Sequence, residues 1–326
     1  MVSMKDLDRA AVDAVLTLAR RLRQTSAGTL RVLCQGYILG TLFYQPSTRT
    51  RLSFVSAAQR LGAQVLGFES PGSTRAGDYY RESLDDVVGF TSQYADALVL
   101  RHHETGGVKR AAAVSAVPLI NAGDGYNEHP TQALLDILTL EDALGRLDGR
   151  TFGLVGDLSI RVHRSLLYAL RNYRVKELLF LLPDEVAIPP DMAALLKSYR
   201  IEYRQVEHID EIFDHAEAIV TIGVHHPRHD VPHADLSAKP QTEDRFRVTQ
   251  ARVLGARRFI PILHPAPIGD EVERSGALLP QYQFFKQARN GLWVRAALLA
   301  GLFARRTAEG THPREHAFVA EAHHEP

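Results

Sequence analysis

The chain has 326 residues, of which 45% are apolar and 23% charged, the proportions of an ordinary globular protein of one large domain or two medium ones. Its 38 Lys plus Arg balance its 38 Asp plus Glu, which argues against a nucleic-acid partner bound through one strongly basic surface. No window holds the roughly eighteen consecutive apolar residues of a membrane helix. The opening MVSMKDLDRAAVDAV has early acids and no apolar leader core. Cys34 is the only cysteine, so an internal disulfide is excluded and a metal site would have to rest on His and carboxylates. The expectation is a cytoplasmic α/β or α+β protein.

Residues 4–24 space Leu7, Val12, Val15, Leu16, Leu18 and Leu22 for a helix with a charged outer face, ending at Gly28. Residues 32–44 are rich in β-branched and aromatic side chains and read as a strand. Pro46-Ser47-Thr48 follows, with Ser47 near the N-cap of a helix over 48–63. A strand over 63–69 leads to an exposed loop at 70–80, dense in Gly, Ser and Pro. The alternation continues with helix 81–94, strand 97–101, helix 106–114, strand 117–123 and helix 130–144. A second series comprises strand 150–157, helix 162–173, strand 177–183, helix 190–200, strand 202–206, helix 209–215, strand 218–223 and strand 258–264. A long apolar helix over 287–306 closes it, followed by a polar tail from Thr307 that is expected to fray. Strands alternating with helices imply two doubly wound parallel-sheet α/β domains. We place them at 1–146 and 147–286, joined by the helix near 131–144, with helix 287–306 packing back on the first.

The densest local signal is Pro46-Ser47-Thr48-Arg49-Thr50-Arg51, between a strand and a helix. A helix N-terminus offers unpaired N–H groups and partial positive charge. Three hydroxyls and a guanidinium in the same turn make an anion cradle suited to phosphate; a plain N-cap with a solvated Arg is the bland alternative. The second signal, Asn121-Ala-Gly-Asp-Gly-Tyr-Asn-Glu-His129-Pro-Thr-Gln132, follows a strand and so sits where α/β proteins bind ligands. His129 and Gln132, three apart at a helix start, share a face. The third, Leu263-His264-Pro265-Ala266-Pro267, also follows a strand, and its prolines leave carbonyls as acceptors.

STRTR, NAGDG…HPTQ, GDLS…RVHRS (156–165), HPAP and QARNGLWVRAALL together resemble the aspartate/ornithine carbamoyltransferases, over about residues 4–305. HPAP, and the lack of a His-Cys-Leu-Pro signature, place the resemblance nearer the aspartate branch. It implies that Ser47, Thr48, Arg49, Thr50 and Arg101 bind the phosphate of carbamoyl phosphate. It implies that Thr50, Arg101 and His129 donate to the carbamoyl oxygen, and that Gln132 and the carbonyls of Pro265 and Ala266 accept from the carbamoyl NH2. Arg161 matches the arginine that holds the acceptor's carboxylate, and Arg295 also matches. No metal, no organic cofactor and no protein nucleophile is implied. A homotrimer or higher oligomer with active sites at subunit interfaces is implied, and another carbamoyltransferase or pathway enzyme is a candidate partner.

The acceptor half departs from the family pattern. Thr221 is followed by Ile222-Gly223-Val224 where an Arg-x-Gln motif is expected. The loop at 75–83 has no Lys before its Glu82-Ser83, leaving Arg75 or Arg81 as stand-ins. The segment GDLS…RVHRS is one residue short, and Asp270 stands near a usual Arg. A carboxylate buried without its cation costs several kcal/mol. The expectation is therefore carbamoyl transfer to an amine, with L-aspartate the default acceptor. A different amine, or a non-catalytic paralogue serving an active enzyme, are the rivals. HHPRHDVPH (225–233) reads as a solvated loop rather than a metal site, since its prolines preclude a regular helical ligand pair. GLVGD (153–157) lacks G-x-G-x-x-G, so a dinucleotide site is weakly supported. Cys34 reads as a small core residue.

Overall fold

The computed structural model describes residues 1–77, 81–224, 241–274 and 279–308. Its elements alternate as the sequence predicts. The first half runs α1 (Arg9–Gln24), α2 (Ala27–Leu30), β1 (Ile38–Phe43), α3 (Thr48–Arg60), β2 (Gln64–Phe68), α4 (Leu84–Thr91), β3 (Ala97–His102), α5 (Gly107–Val114), β4 (Leu119–Asp124) and α6 (Pro130–Leu144). The second runs β5 (Thr151–Val155), α7 (Arg161–Leu170), β6 (Glu177–Leu181), α8 (Pro190–Ser198), β7 (Tyr203–Gln205), α9 (Ile209–His215), β8 (Ala218–Thr221), α10 (Gln250–Gly255), β9 (Ile262–Leu263) and α11 (Phe284–Ala308).

Two parallel sheets result, ordered β2-β1-β3-β4 and β7-β6-β5-β8-β9. The inner strands are buried along nearly their whole length, as parallel strands covered on both faces must be. Strand order reverses direction between β1 and β3 in the first sheet and between β5 and β8 in the second. The crevice outside the carboxyl ends at such a switch point is where open α/β sheets take ligands.

Local chemistry sets the helix starts. Asp8 accepts from Ala11 N at the start of α1, Ser47 from Thr50 N at α3, and Ser83 from Asp86 N at α4. Pro130 opens α6 and Gly145, at φ +71°, closes it. One apolar core runs through both sheets. Leu134 and Leu138 of α6, Leu166 and Leu170 of α7, and Val294, Leu299 and Phe303 of α11 belong to a single buried cluster. Helix α6 packs on α7, and α11 packs on α1, α3 and α6, so α11 returns to the first sheet. No described helix is long and apolar enough to cross a membrane.

Several boundaries differ from the sequence expectation. The first helix is broken: residues 4–6 form a 3-10 turn, Asp8 recaps the chain, and Gly28 lies inside α2 instead of ending α1. The strand expected over 32–44 begins only at Ile38, because Gly36 takes φ +86° and residues 31–36 turn. Val32 and Leu33 are consequently exposed, while Cys34 is buried as expected. The strand expected over 258–264 shortens to Ile262–Leu263 behind Pro261, which has no N–H to give a ladder. The short helices α2 and α10 have no matching expectation. The His-rich segment 225–233 and the tail from 309 lie outside the described residues.

Candidate active site

Three turns leaving the carboxyl ends of β1, β3 and β4 build one wall of a cleft. Ser47 Oγ accepts from Thr50 N at 3.3 Å, which turns the start of α3 and its free N–H groups outward. Thr50 Oγ1 lies 3.3 Å from His129 Nε2. The anion turn and the imidazole therefore meet, though 79 residues separate them. His129 is the N-cap of α6, its own N–H donating to Ser165 Oγ at 2.7 Å. Arg101 is the penultimate residue of β3, in register with Phe43. Gln132 lies in the first turn of α6, with Nε2 donating to Asp136 Oδ1 at 2.9 Å.

The second sheet supplies the other wall. Arg161 opens α7 and crosses over, Nη1 donating to Gln45 Oε1 at 3.1 Å and to Gly125 O at 3.0 Å. The turn after β9 is fixed from within. His264 Nδ1 accepts from Ala266 N at 2.8 Å, and His264 Nε2 pairs with Glu271 Oε1 at 2.9 Å. Ala266, at φ +58°, presents its carbonyl to Arg49 Nη2 at 2.8 Å. The Ala266 carbonyl expected to await a ligand is thus already engaged, and Arg49 bridges the two sheets. Arg295 of α11 donates from Nη1 to Ser53 Oγ at 2.7 Å and from Nη2 to Thr131 Oγ1 at 3.3 Å.

Charge is the distinctive property here. Arg101, Arg161 and Arg295 converge on His129 with Arg49 beside them, and burial together with their mutual fields lowers the pKa of Arg101. Burial lowers Arg161 and Arg295 as well. Burial first, then the fields of the three guanidiniums, push His129 well below its ordinary value, so its imidazole is neutral. Arg101 Nε and Arg295 Nε are buried with no partner among the described residues. Concentrated, partly unsatisfied positive charge around a neutral imidazole is a receptor for a compact anion. Arg101 and Arg161 face each other across Gly123, which takes φ +125°; a Cβ there would lie 3.4 Å from Arg161 Cζ and 3.5 Å from Arg101 Nη1. Gly123→Ala is expected to cost about 1–3 kcal/mol through backbone strain and to weaken phosphate binding. Thermal unfolding and calorimetric titration with inorganic phosphate check both.

Comparison with known proteins agrees with this geometry. Residues 1–142 match the aspartate/ornithine carbamoyltransferase carbamoyl-P binding domain, and residues 148–302 the Asp/Orn binding domain. The chain belongs to the aspartate/ornithine carbamoyltransferase family. The aspartate carbamoyltransferase catalytic subunit of Methanocaldococcus jannaschii is 37% identical over 305 residues, covering 93% of this chain and 97% of its own. Aspartate carbamoyltransferase 1 of Pisum sativum, a chloroplastic protein, is 37% identical over 306 residues, covering 92% of this chain and 77% of its own. Among solved structures, the M. jannaschii catalytic subunit superposes with TM-score 0.82 at 35% identity, covering 94% of this chain and 98% of that one. Aspartate transcarbamoylase of Trypanosoma cruzi in complex with carbamoyl phosphate superposes with TM-score 0.81 at 30% identity, covering 93% and 94%.

Within this carbamoyltransferase fold the structure brings Ser47, Arg49, Thr50, His129 and Ala266 together, with Arg101, Arg161 and Gln132 beside them. Arg75 and Arg81 are exposed on the loop before α4, Arg81 at φ +46°. Thr221, at the end of β8, and Ile222, just past it, are buried and uncharged. Sequence reasoning missed Asp136, Ser165, Glu271 and Gln287. Ser165 and Glu271 lie within or just past quoted motifs; Asp136 is one helical turn beyond Gln132, a spacing that could have found it.

Proposed function

We propose that the cleft binds carbamoyl phosphate and transfers its carbamoyl group to the amine of L-aspartate. The observation that carries this reading is the 3.3 Å approach of Thr50 Oγ1 to His129 Nε2 beneath the arginine cluster. It sets phosphate donors and carbonyl donors within reach of one small molecule. Ser47, Thr48, Arg49, Thr50 and Arg101 hold the phosphate. Thr50, Arg101 and His129 donate to the carbonyl oxygen. Gln132 and the carbonyls of Pro265 and Ala266 accept from the carbamoyl NH2, and Arg161 takes an acceptor carboxylate.

The uncharged amine nitrogen attacks the carbonyl carbon, negative charge builds on the carbonyl oxygen, and the bond from that carbon to the phosphate oxygen breaks. The departing phosphate accepts the amine's proton, so no side chain need act as nucleophile. Preorganised donors at the developing oxyanion are worth about 3–4 kcal/mol each when deleted, and holding both reactants in line removes an entropic cost. Residues 1–146 are then the carbamoyl phosphate domain and 147–286 the acceptor domain, with α11 packed back on the first. A homotrimer fits the exposure of Arg75 and Arg81 on the loop before α4, which leaves them open to a neighbouring copy.

The test is turnover of the purified protein with carbamoyl phosphate and a panel of amines. The expected result is phosphate release with N-carbamoyl-aspartate as product. Product with another amine alone would shift the acceptor, a reading favoured by buried Ile222 beyond β8. Saturable carbamoyl phosphate binding without any product would overturn catalysis in favour of the paralogue.

A further inference from the structure

A chain of polar groups runs under the cleft from one sheet to the other, and the chemistry above uses only its Gln132 end. Asp136, on α6, is fully buried. Its Oδ1 accepts from Gln132 Nε2 at 2.9 Å and from Gln287 Nε2, at the start of α11, at 2.6 Å. Gln287 Oε1 in turn accepts from the backbone N–H of His264 at 3.0 Å. The His264 ring holds Ala266 N on one side and Glu271 on the other. A carboxylate oxygen, or the unprotonated oxygen of a neutral carboxyl, only accepts, whereas an amide is a donor at one end and an acceptor at the other. Asp136 therefore forces both glutamines to turn their NH2 groups toward it. For Gln287 the consequence is visible, because its oxygen meets an N–H. For Gln132 the oxygen is left at the far end of the amide, with no bond to a described residue.

We propose that Asp136 is a positioning residue for carbamoyl recognition. It sets the polarity of the Gln132 amide so that an oxygen faces the ligand's NH2, and through Gln287 it ties that setting to the turn 264–267. The inference rests on the carbamoyl phosphate reading of the cleft and adds the means by which it recognises the carbamoyl end. A mere packing role explains the site poorly. The second oxygen, Oδ2, is buried without a partner among the described residues, and burial, offset by the two amides and Arg295, pushes the carboxyl up to about 7. Stability alone would be served better by an apolar side chain.

The experiment compares the full-length protein with Asp136→Leu, Asp136→Asn and Gln287→Leu. It measures kcat and KM for carbamoyl phosphate, and Kd for inorganic phosphate as a probe of the phosphate cradle alone. Asp136→Leu is expected to raise KM by about tenfold or more, with kcat and phosphate Kd within about threefold, since an unsatisfied amide disturbs the carbamoyl end only. Asp136→Asn retains an oxygen that can accept from both amides and restores KM to within about threefold; Gln287→Leu gives an intermediate rise. Wild-type KM in Asp136→Leu, or equal impairment in Leu and Asn, overturns the proposal. If Asp136→Leu fails to fold by circular dichroism, an unchanged KM in Gln287→Leu overturns it and a raised KM supports it. Failure of the unmodified protein to bind carbamoyl phosphate would instead overturn the reading of the cleft, and this inference with it.

Discussion

Replacing His129 with Ala is expected to lower kcat by about 10²–10³, the usual cost of deleting one donor to a developing oxyanion, while KM for carbamoyl phosphate changes little. The small effect on KM follows from the number of groups left behind: Ser47, Arg49, Thr50 and Arg101 remain to hold the phosphate. The large effect on kcat follows from placement. His129 is held by its backbone bond to Ser165 and by the approach of Thr50 Oγ1 and Thr131 Oγ1 to opposite ring nitrogens, at 3.3 and 3.5 Å. Its protonation state adds a second expectation. Burial and three arginines lower its pKa. The charged form is therefore disfavoured and appears only at pH well below 6.5, where a cation among cations would also loosen the cluster. His129 thus contributes no break to the kcat profile between about pH 6 and 9. A break near 6.5 in the unmodified enzyme that His129→Ala removes would contradict the neutral-donor role.

The sequence reveals what is local and periodic. The alternation of strands and helices and the Ser47 cap both depend on residues a few positions apart, and the structure has both. Boundaries are lost where one backbone angle outweighs composition. Residues 32–36 have the side chains of a strand, but the left-handed conformation of Gly36 makes them a turn. The polar chain under the cleft is lost for a different reason. Asp136 and Gln287 stand 151 positions apart, so although the one-turn spacing from Gln132 points to Asp136, nothing local pairs it with Gln287. His264 was legible as a rigid turn, yet its bond to Glu271 depends on how the turn folds back. Arg295 was visible only through family resemblance. Nothing in its own helix tells that an arginine in WVRAALL enters an anion site rather than solvent.

Arg49→Ala is expected to reduce affinity for carbamoyl phosphate and inorganic phosphate by about 10²–10³-fold, as removal of one partner from a charged, hydrogen-bonded pair costs about 2–5 kcal/mol. Two functions are lost together. The guanidinium is the one cation within the first turn of α3 that reaches the opposite wall, by its 2.8 Å bond to the Ala266 carbonyl. A phosphate arriving at the α3 N-terminus would accept from the same fork, so Arg49 would both bind the anion and report its arrival to the turn after β9. Arg101, Arg161 and Arg295 survive the substitution, which keeps residual affinity above zero, but their own positions are fixed by β3, α7 and α11 and cannot shift to cover the gap. Arg49→Lys separates the two contributions. It keeps the charge and gives up the planar fork, so affinity should fall between the unmodified protein and the Ala variant, with the Ala266 contact weakened. Isothermal titration with phosphate and carbamoyl phosphate ranks the three proteins. Equal affinity in all of them would mean that the anion does not sit at the start of α3.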